Sequence, residues 1–396
     1  MAQHSTGQAT QSLYRDPRLL VALAVSAVGV MGTSSVTPAL PEMARVYSIS
    51  SDQVGFLVAA LVLPGVFLTP ALGLLGDRHG RQTVLVPALL VFGVAGSACA
   101  FAPSYDWLLG LRLLQGVGAA ALSALTAALI SDFFTGAERA HALGYNAGVI
   151  SIGAAVYPII GGALALLSWR YPFLLSVLAL PVAALVAWRL PPAPVADHET
   201  LGAYMRQLGQ ALANRSVALV LLASFVTFIV IYGVLITYLP FLLERDYGAT
   251  PLDYGLVMAA NALAGGIASM GVGRLLQRCR ARLVLVVAFA VSGVAVAAVP
   301  FAGSVALVVV AVVVLGAVQL QVLAIAQIML TELVPPAQSG AIIAVNSMMF
   351  RLGQTLGPTL MGAVLALYGL DMVFVVAGAL SLLIAPLCMF VVARRL

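Results

Sequence analysis

Long apolar runs with little between them constrain this chain more than any other feature. Twelve can be marked, roughly at 18–41, 53–75, 82–102, 107–131, 142–167, 172–189, 216–241, 253–273, 282–301, 305–331, 340–367 and 372–392. A membrane-crossing helix needs about 20 mostly apolar residues. Dividing 396 residues by 12 leaves 33 for each run and its connection, so the loops are short. Hydrophobic residues make up 62% of the chain and charged ones 8%, against roughly 25% charged in soluble domains. No soluble fold hides that much apolar surface, so lipid is the solvent. Lipid cannot satisfy an open backbone, which leaves helices or a closed barrel. The runs are too long for barrel strands and lack apolar/polar alternation. The expected fold is an all-α membrane protein of twelve transmembrane helices.

The charges narrow the function. The net charge is +5 and all 19 basic residues are arginine. A chain without lysine has neither a P-loop lysine nor a Schiff-base lysine. No basic run is interleaved with aromatics, so nucleic acid is not an expected partner. Cys99, Cys279 and Cys388 lie far apart, as do His4, His79, His141 and His198. They give no metal-ligand spacing and no disulfide framework, so neither a metal nor a cofactor is expected. The first 16 residues are polar, and a signal peptide is not expected there.

Arginine placement sets the orientation. With the N-terminus inside, the inner side holds Arg15, Arg18, Arg78, Arg81, Arg139, Arg189, Arg206, Arg215, Arg274, Arg278, Arg280, Arg282, Arg394 and Arg395, and the outer side only Arg45, Arg170 and Arg245. Positive charge stays inside, so both termini are expected in the cytoplasm. The longest connection, 191–215, opens with PPAP, then turns polar, and stands at the midpoint. It reads as a cytoplasmic linker between an N-terminal bundle of six helices (1–190) and a C-terminal one (216–396). Its YMRQLGQALANR stretch is either an amphipathic surface helix or a plain tether.

The halves repeat at an offset of 200. Gly55, Ala59, Gly65, Gly73 and Arg78 match Gly255, Ala259, Gly265, Gly273 and Arg278; Asn146, Gly153, Pro158 and Gly162 match Asn346, Gly353, Pro358 and Gly362; Thr37, Arg45 and Tyr47 match Thr237, Arg245 and Tyr247. Halves repeated about an axis along the membrane normal place a substrate site at their interface, near mid-membrane.

The string GLLGDRHGRQTVL, Gly73 to Leu85, links the second and third helices. Gly73, Gly76 and Gly80 permit close approach and a tight turn, and Asp77 can pair with Arg78 or Arg81. The string resembles the signature loop of the major facilitator superfamily, G-x-L-a-D-r-x-G-r-k, and matches every strongly typed position. In that family the loop latches the halves, so Gly73, Asp77, Arg78, Gly80 and Arg81 are candidate gating residues. The second-half counterpart, GRLLQRCRAR, carries Gln277 in place of the aspartate.

Two further helices carry family-like patterns. In LLGLRLLQGVGAA, Arg112, Gln115 and Gly116 resemble the R-x-x-q-G pattern of proton antiporters, where the arginine is implicated in proton coupling. A charge inside a span costs about 2.5–3.5 kcal/mol, so Arg112 either serves coupling or is held by backbone carbonyls for packing. In GAAVYPIIGG, Gly153, Pro158 and Gly162 resemble the antiporter signature g-x-x-x-G-P-x-x-G-G, with Tyr157 replacing its central glycine. These residues are gating candidates, and equally a set of packing glycines with a proline kink.

No acid falls at the middle of a run. Asp132 and Glu332 occupy matching places near inner helix ends. By the resemblance, Asp132 contacts the signature loop, and with Arg112 it is the candidate for proton coupling. Asn146, Tyr232, Tyr238, Asn261, Gln319, Asn346, Arg351 and Gln354 either line a substrate cavity or bond helix to helix. The resemblance, closest to the twelve-helix drug/proton antiporters, implies a monomer in the bacterial inner membrane working by alternating access. It implies proton-coupled efflux of small amphiphilic neutral or anionic compounds, with protons, the small-molecule substrate and membrane lipids as partners. A lipid or lysolipid transporter, or a sugar or anion facilitator, is the alternative on the same fold. An enzyme is not expected: no nucleophile–base pair and no cofactor fingerprint is present.

Overall fold

The computed structural model describes residues 16–190, 214–335 and 338–391. Most of the 191–215 linker, with Arg206 and the bulk of its YMRQLGQALANR stretch, lies outside these residues, as do Arg15, Arg394 and Arg395. Among the described residues every regular element is helical. The first half contains α1 (Pro17–Ser34), α2 (Leu40–Val46), α3 (Ser51–His79), α4 (Arg81–Ala98), α5 (Tyr105–Phe133), α6 (Gly136–Ala165), α7 (Tyr171–Leu174) and α8 (Ala179–Arg189). The second half contains α9 (Arg215–Val230), α10 (Leu239–Tyr247), α11 (Pro251–Met270), α12 (Val272–Arg278), α13 (Ala281–Ala298), α14 (Val305–Leu333), α15 (Ser339–Tyr368) and α16 (Leu370–Leu387). Among the described residues ten helical stretches are long and apolar enough to cross a membrane, and α11 with α12, bent by 50°, makes up to 11. α15 is 30 residues long but carries Asn346, Arg351, Gln354 and Thr355 along its length. With it, helices stand at each of the 12 places read from the apolar runs.

Among the spans expected to be continuous, the first and the seventh are interrupted for local reasons. After α1 a 3-10 turn spans Thr37–Ala39 before α2 begins. Pro38 and Pro41 have no N–H to continue the ladder, and the hydroxyls of Ser35 and Thr37 bond back to the carbonyls of Met31 and Thr33 at 2.7 and 2.9 Å. After α9 the backbone widens into a π-helix at Ile231–Ile236. There Thr237 Oγ1 donates to the Tyr232 carbonyl, five residues back, at 2.6 Å, and Pro240 follows. Both interruptions fall at the threonine pair that the repeat aligns.

The offset of 200 extends to the elements. α4 and α13, with the 3-10 turns that follow them at Cys99–Phe101 and Val299–Phe301, keep that spacing, as do α5 and α14. Ser104 and Ser304, also 200 apart, each cap the next helix by accepting an N–H, from Trp107 and from Leu307. The halves part at the α3 equivalent. α3 runs unbroken for 29 residues, whereas its counterpart breaks at Gly271 between α11 and α12.

The chain divides into two compact units, one within Met1–Ala39 and Ala60–Asp197, the other within Leu40–Ala59 and His198–Leu396. The boundary thus cuts inside the first half of the sequence. The first unit is built around Val25, Leu89, Phe92, Leu122 and Leu125. The second has one core around Val220, Leu285, Ile325 and Met329 and another around Leu239, Val308, Leu315 and Phe374.

Candidate transport site

At one end of the first unit, α3, α4 and α5 bring three charges together. Arg81 pairs with Asp77, one turn before it, and its Nε donates to Asp132 Oδ2 at 3.0 Å. Its Nη1 also reaches the Gly73 carbonyl at 3.4 Å. Gly80 makes the turn between α3 and α4 with φ of 90°, a conformation L side chains rarely adopt. A Cβ at Gly76 would lie 2.6 Å from Leu125 and 3.4 Å from Arg81, so this glycine lets the arginine settle against its helix. Arg78 is exposed. The second half has no such triad, since Gln277 and Ala281 stand where Asp77 and Arg81 do.

Deeper in the same unit, Arg112 is only 3% exposed. Its Nη1 donates to the Gly32 carbonyl of α1 and to Gln115 Oε1, both at 3.0 Å. The guanidinium lies over the Phe173 ring of α7, 4.8 Å from its centroid. Gln115 in turn donates to Ser176 Oγ at 3.1 Å, in the 3-10 turn Leu175–Leu178. One buried cation thus ties α1, α5 and the start of the sixth span, and among the described residues it has no carboxylate partner. Gln115 was legible as the i+3 neighbour on one helix. Gly32, Phe173 and Ser176 were not, because each comes from another helix and a backbone carbonyl leaves no trace in a sequence.

On α6, Asn146 Oδ1 accepts from Ser26 Oγ of α1 at 2.5 Å. Tyr157 lies over Gly153: a Cβ there would be 2.9 Å from its ring and 3.5 Å from Val30. Pro158, Gly161 and Gly162 are buried. Gly161, the other glycine that ends the GAAVYPIIGG motif, sits against the Ser35 backbone so closely that no Cβ fits.

In the second unit the candidate lining residues divide. Tyr232 lies in the π-helix and interacts electrostatically with half-buried Arg351. Phe228 packs beside Tyr232 and against Phe350, with centroids 6.1 and 4.5 Å apart. Gln354 is half-buried on the same helix as Arg351. Tyr238 is 0% exposed, and its hydroxyl donates to the Pro358 carbonyl at 3.0 Å. Cβ atoms at Gly55 and Gly362 would each lie 2.7 Å from that hydroxyl, so Tyr238 is a knot of three segments. Asn261 Nδ2 donates to the Val312 carbonyl at 2.7 Å. Gln319 and Asn346 are 4% and 3% exposed, and among the described residues Nε2 of the first and Oδ1 of the second have no hydrogen-bond partner. Leu40–Ala59 joins this unit through Gly55 and through an Arg45–Glu244 ion pair, next to Arg245, which reaches Asp246 and Asp371 at 2.5 Å each. Among the described residues no cluster of His, Cys, Asp or Glu can hold a metal ion.

Spans of this length, with Gly-mediated helix crossings and polar groups held inside them, define a polytopic helical membrane protein. The chain belongs to the Major Facilitator Superfamily, whose model matches residues 22–248 and again 220–396. It is 33% identical to the bacillibactin exporter of Bacillus subtilis over 156 residues, 38% of this chain and 39% of that protein. It is 37% identical to the multidrug efflux pump LfrA of Mycolicibacterium smegmatis over 177 residues, 43% of this chain and 35% of that one. Over 247 residues it is 25% identical to multidrug resistance protein 1 of B. subtilis, 61% of this chain and 62% of that one. The matched stretches span less than two thirds of these relatives. The fold is similar to a bacterial homolog of the human lysosomal transporter Spinster, solved inward-facing and unoccupied, with TM-score 0.83 and 18% identity over 96% of this chain and 97% of that one. It is also similar to the nucleoside transporter NupG, with TM-score 0.80 and 14% identity over 94% of this chain and 99% of that one.

Proposed function

We propose that this protein is a monomeric proton-coupled exporter of small amphiphilic compounds, neutral or anionic, in the bacterial inner membrane. The observation that carries the reading is that the relatives whose names state a direction are an exporter and an efflux pump. The buried, acid-free setting of Arg112 supports cargo that is not cationic, because a fixed positive charge repels cations and its field is strong where water is excluded. Arg112 and Asp132 are the proposed coupling pair, and an N-terminal bundle (1–190) and a C-terminal bundle (216–396) the proposed moving bodies. The excess of inner arginines supports cytoplasmic termini and linker. Arg351, Tyr232 and Gln354 are the proposed cavity wall on the second half. In inside-out vesicles, an imposed acid interior should drive accumulation of neutral and anionic amphiphiles from a test panel but not of quaternary ammonium dyes. Accumulation that ignores the pH gradient, or favours the quaternary dyes, would refute proton-coupled export of this cargo class.

The Asp77–Arg81–Asp132 cluster is proposed as an inner-gate latch, with Gly73, Arg78 and Gly80 shaping its loop and Gly153, Pro158 and Gly162 flexing α6. Asp77→Asn keeps the shape and leaves Arg81 bonded to Asp132, so the variant should fold normally. A partly exposed ion pair is worth about 1 kcal/mol or less, so the expected population shift is about fivefold towards inward-open states. Spin-label distances across the cytoplasmic helix ends measure it; an unchanged distance distribution removes the latch role.

A further inference from the structure

The two halves balance charge differently in the loops after their second spans. From Gly73 to Gln82 the first half carries two arginines and one aspartate, and Arg81 is held by Asp77 and by Asp132. The same stretch 200 residues on, Gly273 to Arg282, carries four arginines and no acid. Arg274, Arg278 and Arg280 are exposed and Arg282 is half-buried. None of the four enters an ion pair among the described residues, and neither does exposed Glu332, which stands at the place of Asp132. The local fold sets the arginines outward. α12 turns 50° away from α11. Its Val272 is buried, and Leu275 and Leu276 pack on the core that holds Leu285 and Met329, which leaves Arg274 and Arg278 on its free face. α13 then begins at Ala281, with Arg280 extended at its N-cap and no side chain capping it.

Arginine on the inner side is what topology asks for, but topology leaves two features unexplained. Arg280 and Arg282 stand at the N-terminal end of α13, where the helix dipole disfavours cations. The Nε of Arg282 is buried and has no hydrogen-bond partner among the described residues, and a polar group buried unpaired is costly. An anion with several oxygens among the guanidinium groups offsets both costs. We propose that this loop binds the phosphate of an anionic lipid headgroup, of the phosphatidylglycerol kind, in place of the acids that hold Arg81 in the first half. Arg280 and Arg282 grip the phosphate, and Arg274 and Arg278 strengthen the field around it. Guanidinium suits phosphate because its planar fork can give two N–H groups to two oxygens. The occupant is a lipid because the loop joins two spans directly, so the phosphates of the surrounding leaflet stand beside it at high local concentration, and basic segments there attract anionic lipid. The inference holds whichever way cargo moves.

Native mass spectrometry of the full-length protein in detergent, mixed with equal amounts of phosphatidylglycerol and phosphatidylcholine, tests this. The wild type should retain phosphatidylglycerol preferentially. One arginine beside a lipid surface changes binding about fivefold, so Arg280→Gln/Arg282→Gln should lower the preference about 20- to 30-fold. Arg139→Gln/Arg189→Gln, which removes two other arginines expected on the inner side, should leave it nearly unchanged. Gln277→Asp returns the first-half acid to the loop as an internal counter-ion and should lower the preference about fivefold. This variant keeps the inference open to refutation if the double arginine variant fails to fold. Millimolar inorganic phosphate should leave the bound lipid in place. Equal losses in the two arginine pairs would mean a diffuse inner-face charge, and displacement by inorganic phosphate would mean a free-anion site. Either result would overturn the inference, as would no preference in the wild type or an unchanged one in Gln277→Asp.

Discussion

Gly116→Val is expected to leave almost no folded protein in the membrane, and Gly316→Val to do the same. At Gly116, where α5 crosses α3, a Cβ would fall on the Leu61 carbonyl oxygen, 3.0 Å from its carbon and 3.0 Å from Pro64 Cδ. At Gly316, where α14 crosses α11, it would fall on the Asn261 carbonyl oxygen, 2.8 Å from its carbon. The obstacle in both cases is backbone, which cannot turn aside as a side chain can. Overpacking of a core costs about 1–3 kcal/mol when side chains can adjust; here whole helices must separate, and small residues are what let helices pack in lipid. Gly116→Ala should be an intermediate case. Gly110, on the same helix, has nothing within 4 Å of a built Cβ, so Gly110→Val should behave as wild type. Monodisperse protein after detergent extraction, read by fluorescence size exclusion, gives the ranking. If Gly116→Val is recovered as well as Gly110→Val, the crossing is looser than this geometry requires.

These two glycines also show why the fold was readable. Helices were the only open choice for apolar runs in lipid, and the repeat fixed their register: an offset found from a few Gly, Asn, Pro, Arg and Tyr matches reappears in helix ends, serine caps and the paired crossings at Gly116 and Gly316. The Asp77–Arg81 pair was legible because its members lie one turn apart in a short motif; Asp132 was joined to it only through the family resemblance. Contacts between distant helices were not. Tyr238 is amphipathic and fits a cavity wall as a residue type, but its hydroxyl ends on the Pro358 carbonyl, which a sequence does not display. Nor does composition separate Asn146, whose Oδ1 accepts from Ser26, from Asn346, whose buried Oδ1 has no hydrogen-bond partner among the described residues. Nor does a sequence show that Arg45 pairs with Glu244, 199 residues away, in the unit to which Leu40–Ala59 belongs.

Arg112→Ala is expected to abolish gradient-driven export, by about a hundredfold or more, while the protein still inserts. An arginine does not titrate in the useful pH range, so Arg112 cannot itself carry the proton. What it can do is hold a group whose charge changes, or release it. Its Nη1 is committed to Gly32 and Gln115, while its buried Nε has no hydrogen-bond partner among the described residues. Keeping an ion inside the span costs several kcal/mol unless its hydrogen bonds are completed, so a packing role alone is an expensive use of this residue. Truncation also removes a charged donor from two acceptors, and each such bond is worth about 1.5–3 kcal/mol. Some loss of stability is therefore expected, and Arg112→Gln separates the two effects by returning an amide donor without the charge. Arg112→Lys keeps the charge but not the planar fork, and should restore flux poorly if two N–H groups act together. The decisive comparison is between flux driven by an imposed pH gradient and cargo exchange at equal pH on both sides. A coupling residue should lose the first and keep the second in Arg112→Gln. A packing residue should lower both in proportion to the folded protein. Full gradient-driven flux in Arg112→Ala would take the residue out of the mechanism.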